Sequence, residues 1–271
     1  MVRLGVSIVI YKDLMNTISI IDALTKLDFV HVSIVDNSPM PNTQFAKYPG
    51  ITYMHNPSNP GFGAAHNIAM RTSIANGMDY HLIINPDISF DKTVIGKLMD
   101  FMDAHPMIGA AMPKVIYPDG RIQRLAKLIP TPFNYFMRRF MPIAMIKNWL
   151  NDAYELKQYD YTYVIDAPFL SGCFTMFRTA VLKKFGGFDE GFFMYFEDND
   201  ICRNVLNAGY RCTVYPDVQV IHDHTPKHFD KWATIKMYFS SAIYYFNKWG
   251  WFFDAQRVEE NRKVLEQIKL K

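Results

Sequence analysis

One segment of the chain brings aromatic side chains and acids together. Gly186–Asp200 reads G-G-F-D-E-G-F-F-M-Y-F-E-D-N-D, so an aromatic run leads directly to Glu197 and Asp198. A carboxylate that is partly shielded from water beside a substrate hydroxyl can act as a general base. Acids in the first turn of a helix also favour the helix dipole, and on this segment alone that capping role is preferred. We expect Asp200 to lie on the helix surface.

Two further groups follow predicted strands and could bind a metal. Asn85-Pro86-Asp87 offers an amide and a carboxylate oxygen, and a divalent cation on a diphosphate needs only one or two protein oxygens. His222-Asp223-His224 offers imidazole nitrogens, which Mn²⁺ accepts together with oxygen ligands. Each group also has an ordinary explanation, because N-P-D is good turn chemistry and histidines are common at a surface.

A glycine-rich segment, Asn59–Asn67, reads N-P-G-F-G-A-A-H-N and leads into a predicted helix over 64–76. It differs from a dinucleotide-binding fingerprint, because His66 replaces the third glycine and the segment follows the third strand rather than the first. The glycines predict a close approach of the backbone to a nucleotide or to a neighbouring loop.

The elements that position these residues alternate between strand and helix over about the first 110 residues, which is the pattern of a doubly wound α/β fold. Ligands of such folds bind beyond the carboxyl ends of the strands, where Asp36 and Asp87 both lie. The predicted strands are Val6–Ile10, His31–Val35, Ile51–Met54 and Tyr80–Ile84, and the first predicted helix is Asp13–Leu27.

The second half of the chain has a different pattern. Strand-like alternation over Thr162–Phe177 is followed by short strands at Arg211–Tyr215 and Val218–Ile221, and by two helices from Asp230 onward. The first of these helices is rich in aromatic residues and could form a dimer face. Gly120–Asn151 is basic, aromatic and broken by prolines, which fits either an anionic membrane surface or a solvated loop packed on the core.

Composition limits the class of protein. The chain has 271 residues, of which 49% are hydrophobic and 20% charged, so it can bury a full core. A net charge of +3 gives no reason to expect nucleic acid as a partner. The three cysteines are widely spaced without a CxxC pair, which argues against a disulfide framework or a zinc site. No signal-peptide pattern or spanning apolar window is present, so we expect a cytoplasmic protein, soluble or peripheral to the membrane.

Taken in order, the motifs resemble the family 2 inverting glycosyltransferases of the GT-A fold, and within them the rhamnosyltransferase-like branch. The resemblance covers about residues 4 to 225 and rests on V-S-I-V-I-Y, V-D-N-S, N-P-G-F-G-A-A-H-N, I-N-P-D, F-L-S-G-C, the segment Gly186–Asp200 and A-G-Y-R. It implies an α/β fold with a Rossmann-like mixed sheet flanked by helices. The expected domains are a catalytic domain over 1–225 and a helical extension over 226–271 packed on it.

The resemblance also implies roles for the site residues. Asp198 would be the catalytic base, with Glu197 beside it as a support or acceptor contact. Asp87 would bind Mn²⁺ or Mg²⁺ directly and His222 would touch the metal or the diphosphate. Asn85 replaces the first acid of the family's D-x-D motif, so metal affinity is expected to be modest. The remaining residues would contact the nucleotide (Tyr11, Asp36, Gly61, Gly63, Asn67, Asn85) and the donor sugar or acceptor (Gly172, Tyr195).

The implied activity is the transfer of a sugar, from dTDP-rhamnose or a UDP-sugar, to a hydroxyl of a glycan or polyprenyl-linked acceptor in bacterial cell-surface polysaccharide synthesis. A lipid-linked acceptor would bring a cytoplasmic protein to the inner face of the cell membrane, and peripheral contact through residues 120–151 is the hypothesis that follows from their basic, aromatic composition. The alternative is a non-catalytic module that binds a nucleotide sugar. An NAD-dependent oxidoreductase is a third class, which His66 at the third glycine position disfavours.

Overall fold

A mixed β-sheet with helices on both faces organises the protein. The computed structural model describes residues 2–12, 17–135, 151–223 and 231–270. The start of the first predicted helix (13–16), most of the basic aromatic stretch (136–150) and His224 lie outside the described residues. The strands are β1 (Leu4–Ile10), β2 (Val30–Asp36), β3 (Ile51–His55), β4 (Tyr80–Ile84), β5 (Ile88–Phe90), β6 (Ile108–Ile116), β7 (Ala126–Lys127), β8 (Ile165–Asp166), β9 (Phe169–Leu170), β10 (Phe174–Arg178) and β11 (Arg211–His222).

The helices alternate with these strands in the first half and dominate the C-terminal part. They are α1 (Thr17–Leu24), α2 (Thr43–Ala46), α3 (Phe62–Ala75), α4 (Thr93–Ala104), α5 (Thr179–Phe185), α6 (Glu197–Asn207), α7 (Lys231–Trp249) and α8 (Ala255–Lys269). Within the described part of the chain, no helix has both the length and the hydropathy that a membrane span requires.

The main sheet has the strand order β3-β2-β1-β4-β10-β6-β11-β5, and β8 pairs with β11 beside it. Strands β1 to β4 are parallel, and β6 is parallel to β11. Strand β10 runs antiparallel to both β4 and β6, so its first residues lie at the edge where the parallel strands end. A two-stranded sheet of β7 and β9 lies apart from the main sheet.

The apolar runs form strands because the sheet buries both of their faces. Most of L-G-V-S-I-V-I in β1 and all of Y-H-L-I-I in β4 are buried, as expected for central strands covered by helices. The predicted strands at 211–215 and 218–221 are one strand, β11, whose pairing with β6 is irregular between Tyr215 and Gln219. The strand-like stretch over 162–177 forms three short strands, β8, β9 and the start of β10.

The C-terminal helices pack against the segment that precedes α6. Phe192 and Phe196 from that segment share a buried cluster with Tyr245 and Phe246 of α7. Arg203 of α6 forms a buried two-pronged ion pair with Asp254, in which the nitrogen–oxygen distances are 2.6 and 2.8 Å. A buried guanidinium is tolerated when its donors are paired in this way, so the pair ties α6 to the turn before α8.

Candidate active site

The predicted site residues converge at one edge of the sheet. Strands β1, β2, β4 and β11 all end there, and β10 begins there. The backbone N–H of Asn85, just after β4, donates to the carbonyl oxygen of Cys173 at 2.8 Å. Tyr11 follows β1, whose last residue Ile10 pairs with Asp36 at the end of β2. The sheet topology therefore brings together residues that are far apart in sequence.

Asp87 and His222 face each other at this edge. The pairing of Ile88 with His222 places the two side chains together, and Asp87 Oδ1 lies 3.2 Å from His222 Nε2. Gln123 fixes the tautomer of the imidazole. Its amide N–H donates to the carbonyl oxygen of His222 at 2.6 Å, so its Oε1 is the atom that lies 2.9 Å from His222 Nδ1. Because Oε1 only accepts, Nδ1 carries a proton, so Nε2 is the nitrogen that faces Asp87, and in the neutral imidazole this atom bears the lone pair.

This arrangement fits a divalent cation. A carboxylate oxygen and an imidazole lone pair that face each other at 3.2 Å are brought together favourably by a positive charge between or beside them. One nitrogen and one oxygen ligand suit Mn²⁺ well. Among the described residues, no group of three or more His, Cys, Asp or Glu side chains could hold a metal ion. Phosphate oxygens and water would therefore supply the remaining ligands.

Glu197 and Asp198 lie at the first turn of α6, directly after a strained piece of backbone. Tyr195 and Phe196 both adopt the left-handed conformation, with φ of 72° and 69°. Bulky residues rarely adopt it, and such strain persists only where the surroundings hold it in place. The ring of Tyr195 stacks on Tyr238 of α7 with centroids 3.6 Å apart. Packing against α7 thus fixes the turn that presents the two acids.

Asp198 is partly exposed and is oriented by backbone donors. Its Oδ1 accepts a hydrogen bond from the backbone N–H of Asn199 at 2.9 Å, and the N–H of Gly172 donates to the same carboxylate. Burial raises the pKa of Asp198 despite these bonds. The buried Cys173 thiol lies within electrostatic range of both Asp87 and Asp198, and burial raises its pKa to about 12. The candidate base and Asp87 of the candidate metal pair therefore both lie near Cys173, the residue that precedes β10.

Glu197 is buried, and its Oε2 has no hydrogen-bond partner among the described residues. Burial and then the charge of Asp198 hold the pKa of Glu197 well above its ordinary value. An ionised carboxylate with an unpaired oxygen in such a place is costly, so the neutral acid is favoured. Asp198, by contrast, accepts hydrogen bonds from two backbone N–H groups that favour its ionised form.

Asp36 is fully buried and is hydrogen-bonded to the loop that follows β2 and to Tyr53. Its oxygens accept hydrogen bonds from the N–H of Ser38 at 2.9 Å, the N–H of Asn42 at 3.0 Å and the Tyr53 hydroxyl at 2.6 Å. Burial acts to raise the pKa of Asp36, but the hydrogen bonds from Ser38, Tyr53 and Asn42 together keep that pKa below its ordinary value. Acceptance of a hydrogen bond from a nucleotide base by Asp36 stays a prediction.

The glycine-rich segment at the start of α3 docks on the loop before α6, here called the aromatic loop (residues 187–196). Gly61 has a φ of 107°, and a Cβ on it would lie 2.2 Å from the carbonyl oxygen of Phe193. A Cβ on Gly63 would lie 2.8 Å from Phe188 Cβ. Of the two alternatives left open by the sequence, the neighbouring loop is the one observed, and lining of the nucleotide pocket by these glycines stays a prediction.

Asn67 contacts the aromatic loop, as Gly61 and Gly63 do. Its amide donates to the Phe188 carbonyl oxygen at 2.8 Å and to Glu190 at 2.9 Å, while its Oδ1 accepts from the Phe188 N–H at 2.8 Å. These bonds occupy the side chain that was expected to line the nucleotide pocket. Gly172 likewise packs beside a protein group, because a Cβ there would lie 3.2 Å from the ring of Phe62.

His66 lies in the core rather than at a ligand. Its Nδ1 is 2.6 Å from Ser7 Oγ, which is 2.8 Å from His81 Nε2. Burial lowers the pKa of His66 well below its ordinary value, so the imidazole is neutral. The histidine at the third glycine position therefore joins α3 to the sheet.

The expected surface position of Asp200 is wrong. Its side chain is 0% exposed, and it accepts hydrogen bonds from Trp249 Nε1 at 2.7 Å and from Lys248 Nζ at 2.8 Å. Local sequence does not reveal this burial, because the partners of Asp200 are 48 and 49 positions away on α7. The sequence reasoning also missed Gln123 and Tyr53, since neither residue type nor local spacing marks them.

Several solved structures have the same fold as this chain. TarS of S. aureus superposes with a TM-score of 0.58 at 17% identity, covering 98% of this chain and 43% of that one. Mannosyltransferase PcManGT from Pyrobaculum calidifontis, in complex with GDP-Man and Mn²⁺, has a TM-score of 0.56 at 16% identity, covering 89% and 64%. The mixed sheet and flanking helices are those of the GT-A class, so the predicted fold class is confirmed.

The chain belongs to the family described as Glycosyltransferase like family 2, whose sequence model matches residues 42–238. N-acetylglucosaminyl-diphospho-decaprenol L-rhamnosyltransferase of Mycobacterium tuberculosis is 28% identical over 206 residues, which is 71% of this chain. The match spans 66% of that relative's length, just under two thirds of it. The predicted family is therefore confirmed.

Proposed function

We propose that the protein is an inverting glycosyltransferase that moves a sugar from a nucleotide diphosphate to an acceptor hydroxyl. The observation that carries this proposal is that Asp198 and Asp87, which faces His222, both lie within electrostatic range of the Cys173 thiol, with the neighbouring Gly172 N–H bonded to Asp198. A base for the acceptor and a binding pair for the diphosphate are the two groups that such a transfer needs.

Asp198 would accept the proton of the acceptor hydroxyl while that oxygen attacks the anomeric carbon. The bond from the anomeric carbon to the diphosphate oxygen breaks on the opposite face, so the sugar inverts and the nucleoside diphosphate leaves. The raised pKa of Asp198 makes it a stronger base than an exposed aspartate. General-base assistance of this kind contributes roughly 10²–10⁴ in rate. Glu197, as the neutral acid, adds no second negative charge beside the base.

Asp87 and His222 would hold the divalent cation, either Mn²⁺ or Mg²⁺. When bound, such a cation neutralises charge on the departing diphosphate. Gln123 holds the imidazole of His222 with its Nε2 facing Asp87 Oδ1, so both atoms would be available to the same cation. This nitrogen ligand favours Mn²⁺ over Mg²⁺, which prefers oxygen.

The proposed donor is dTDP-rhamnose and the proposed acceptor is a polyprenyl-diphosphate-linked glycan. Support comes from the name of the mycobacterial relative, an L-rhamnosyltransferase of N-acetylglucosaminyl-diphospho-decaprenol. A UDP-sugar is the alternative donor.

A lipid-linked acceptor implies that the protein acts at the inner face of the membrane. Membrane contact through residues 120–151 and a dimer face on α7 remain proposals. The domain boundary at 225 also remains a prediction.

The test is a transfer assay with purified protein, Mn²⁺ or Mg²⁺, and a panel of dTDP- and UDP-sugars. The acceptor is a synthetic N-acetylglucosaminyl-diphospho-polyprenol, and NMR reports the anomeric configuration of the product. We expect transfer with inversion, and transfer with retention would contradict the mechanism. Binding of UDP or dTDP without transfer or hydrolysis of any donor would instead identify a non-catalytic binding module.

A further inference from the structure

We propose that Lys248 of α7 is a positioning residue for the candidate base, because its ammonium joins Asp189 of the aromatic loop to Asp200 of α6. The inference rests on the proposed function for its link to catalysis, and on geometry alone for its link to the loop. The family's sequence model ends at residue 238, so the match that defines the family does not include Lys248.

The bridge has short distances on both sides. Lys248 Nζ lies 2.6 Å from Asp189 Oδ2 and 2.8 Å from Asp200 Oδ1. Trp249 Nε1 donates to the same Asp200 oxygen at 2.7 Å, and Asn204 donates to Oδ2 at 3.1 Å. The Tyr244 hydroxyl reaches Asp189 at 3.2 Å. Two adjacent residues of α7 thus satisfy an acid on α6, and one of them also satisfies an acid on the aromatic loop.

The ammonium is needed electrostatically, because Asp200 is fully buried. Burial raises the pKa of Asp200, and Lys248 opposes that rise. Burial also acts to raise the pKa of Asp189, but the bond and charge of Lys248, together with the hydrogen bonds from the Gly191 N–H and Tyr244, keep that pKa below its ordinary value. Removal of one partner from a buried charged network leaves the others uncompensated, which is strongly unfavourable. Without Lys248 the two acids would repel each other or take up a proton.

The bridge spans the segment that presents the base. Asp189 comes before the left-handed residues Tyr195 and Phe196, and Asp200 comes just after Asp198. A strained turn keeps its conformation only when its surroundings over-determine it. The single ammonium of Lys248 binds Asp189 before the strained turn and Asp200 after it. The position of Asp198, which lies between them, therefore depends on Lys248.

A separate contact keeps α6 folded when the bridge is lost. The buried Arg203–Asp254 pair holds α6 to the turn before α8, and the ring of Trp249 lies 4.1 Å from the Arg203 guanidinium. Loss of the Lys248 ammonium should therefore loosen the aromatic loop without unfolding the helix. A residue with only a structural role would lower stability without this local effect.

The experiment compares Lys248→Met, which removes the charge, with Lys248→Arg, which keeps it. Lys236→Met is the matched control, because Lys236 is an exposed lysine on the same helix. Hydrogen exchange of peptides over 187–200 measures the loop directly and needs no substrate. Transfer kinetics with the active donor give kcat and the donor KM, and thermal unfolding reports global stability.

For Lys248→Met we expect exchange over 187–200 to rise about tenfold while other core peptides keep their protection. We expect kcat to fall roughly 10- to 100-fold, as for a displaced catalytic group, with the donor KM unchanged. Lys248→Arg should recover most of both effects, and Lys236→Met should match the wild type. Unchanged exchange over 187–200, or an unchanged kcat, would overturn the proposal. If the wild type transfers no sugar, the proposed function fails, while the exchange data still decide whether Lys248 holds the loop.

Discussion

Asp87 Oδ1 and His222 Nε2 lie 3.2 Å apart, and Gln123 holds the imidazole in the tautomer that presents a lone pair to the carboxylate. In the neutral imidazole, neither atom offers a proton to the other. The pair is therefore organised for a cation before any donor arrives, and the organising residue is a neutral amide that comes from a different part of the chain.

Gln123→Ala should weaken metal binding without removing a ligand. Loss of an outer hydrogen bond to a ligating histidine typically costs about 10- to 100-fold in affinity, because the ring is free to rotate and to change tautomer. Calorimetric titration of Mn²⁺ in the presence of UDP or dTDP measures the effect. Arg121→Ala is the control, since Arg121 is exposed and pairs with Asp119. Equal Mn²⁺ affinity in Gln123→Ala and wild type would remove this role for Gln123.

Glu197→Gln should retain transfer activity. The amide mimics the neutral acid that burial favours at this position, so the charge distribution around Asp198 is kept. We expect kcat within about tenfold of the wild type, which is less than the loss typical of a removed general base. A loss as large as that of an Asp198 variant would move the base assignment to Glu197.

The same substitution has a pH-dependent effect on stability. The pKa of Glu197 is higher in the folded than in the unfolded protein, so ionisation of Glu197 disfavours the folded state as pH rises. As pH rises above the unfolded-state pKa of Glu197, the free energy of unfolding of the wild type should fall. That of Glu197→Gln should not show this fall, because glutamine does not ionise. Thermal unfolding of both proteins between about pH 5 and pH 8 should show a Tm difference that grows in favour of the variant. A constant difference would mean that Glu197 does not titrate as described.

Gly61→Ala should destabilise the protein and displace the aromatic loop. The new methyl would meet the Phe193 carbonyl oxygen, and the positive φ of Gly61 is unfavourable for alanine. Each such backbone strain costs on the order of 1–3 kcal/mol. Gly96→Ala is the matched control, because Gly96 is helical with open space around it and should gain up to about 1 kcal/mol. Chemical denaturation measures both, and equal effects would contradict the close approach.

The central parallel strands of the sheet could be predicted from the sequence. Strands β1, β2 and β4 are apolar runs with turn residues after them, so both their positions and the polar edge beyond them could be recognised. The insertion of antiparallel β10 between β4 and β6 could not, because strand order depends on pairings between distant segments. That insertion places Gly172 beside Asp198.

The candidate site divides in the same way. The order and residue types of a family's motifs single out Asp198, Asp87 and His222, whose catalytic and metal-binding roles stay predictions. The contacts of Asn67 and the burial of Asp200 could not be predicted, because an amide or an acid looks the same in sequence whether it faces solvent, a ligand or a distant loop. Their partners, Phe188 and Lys248, become visible only when α3, the aromatic loop and α7 are packed together.

The central claim is that Asp198 is the base, and the most direct measurement is sugar transfer by Asp198→Asn with donor binding measured on the same preparation. We predict a fall in kcat of roughly 10²–10⁴ with a donor Kd within about twofold of the wild type, since Asp198 acts on the acceptor proton. In the wild type, transfer should decline as pH falls through a pKa above the ordinary aspartate value of about 4. Transfer by Asp198→Asn at the wild-type rate would contradict the account.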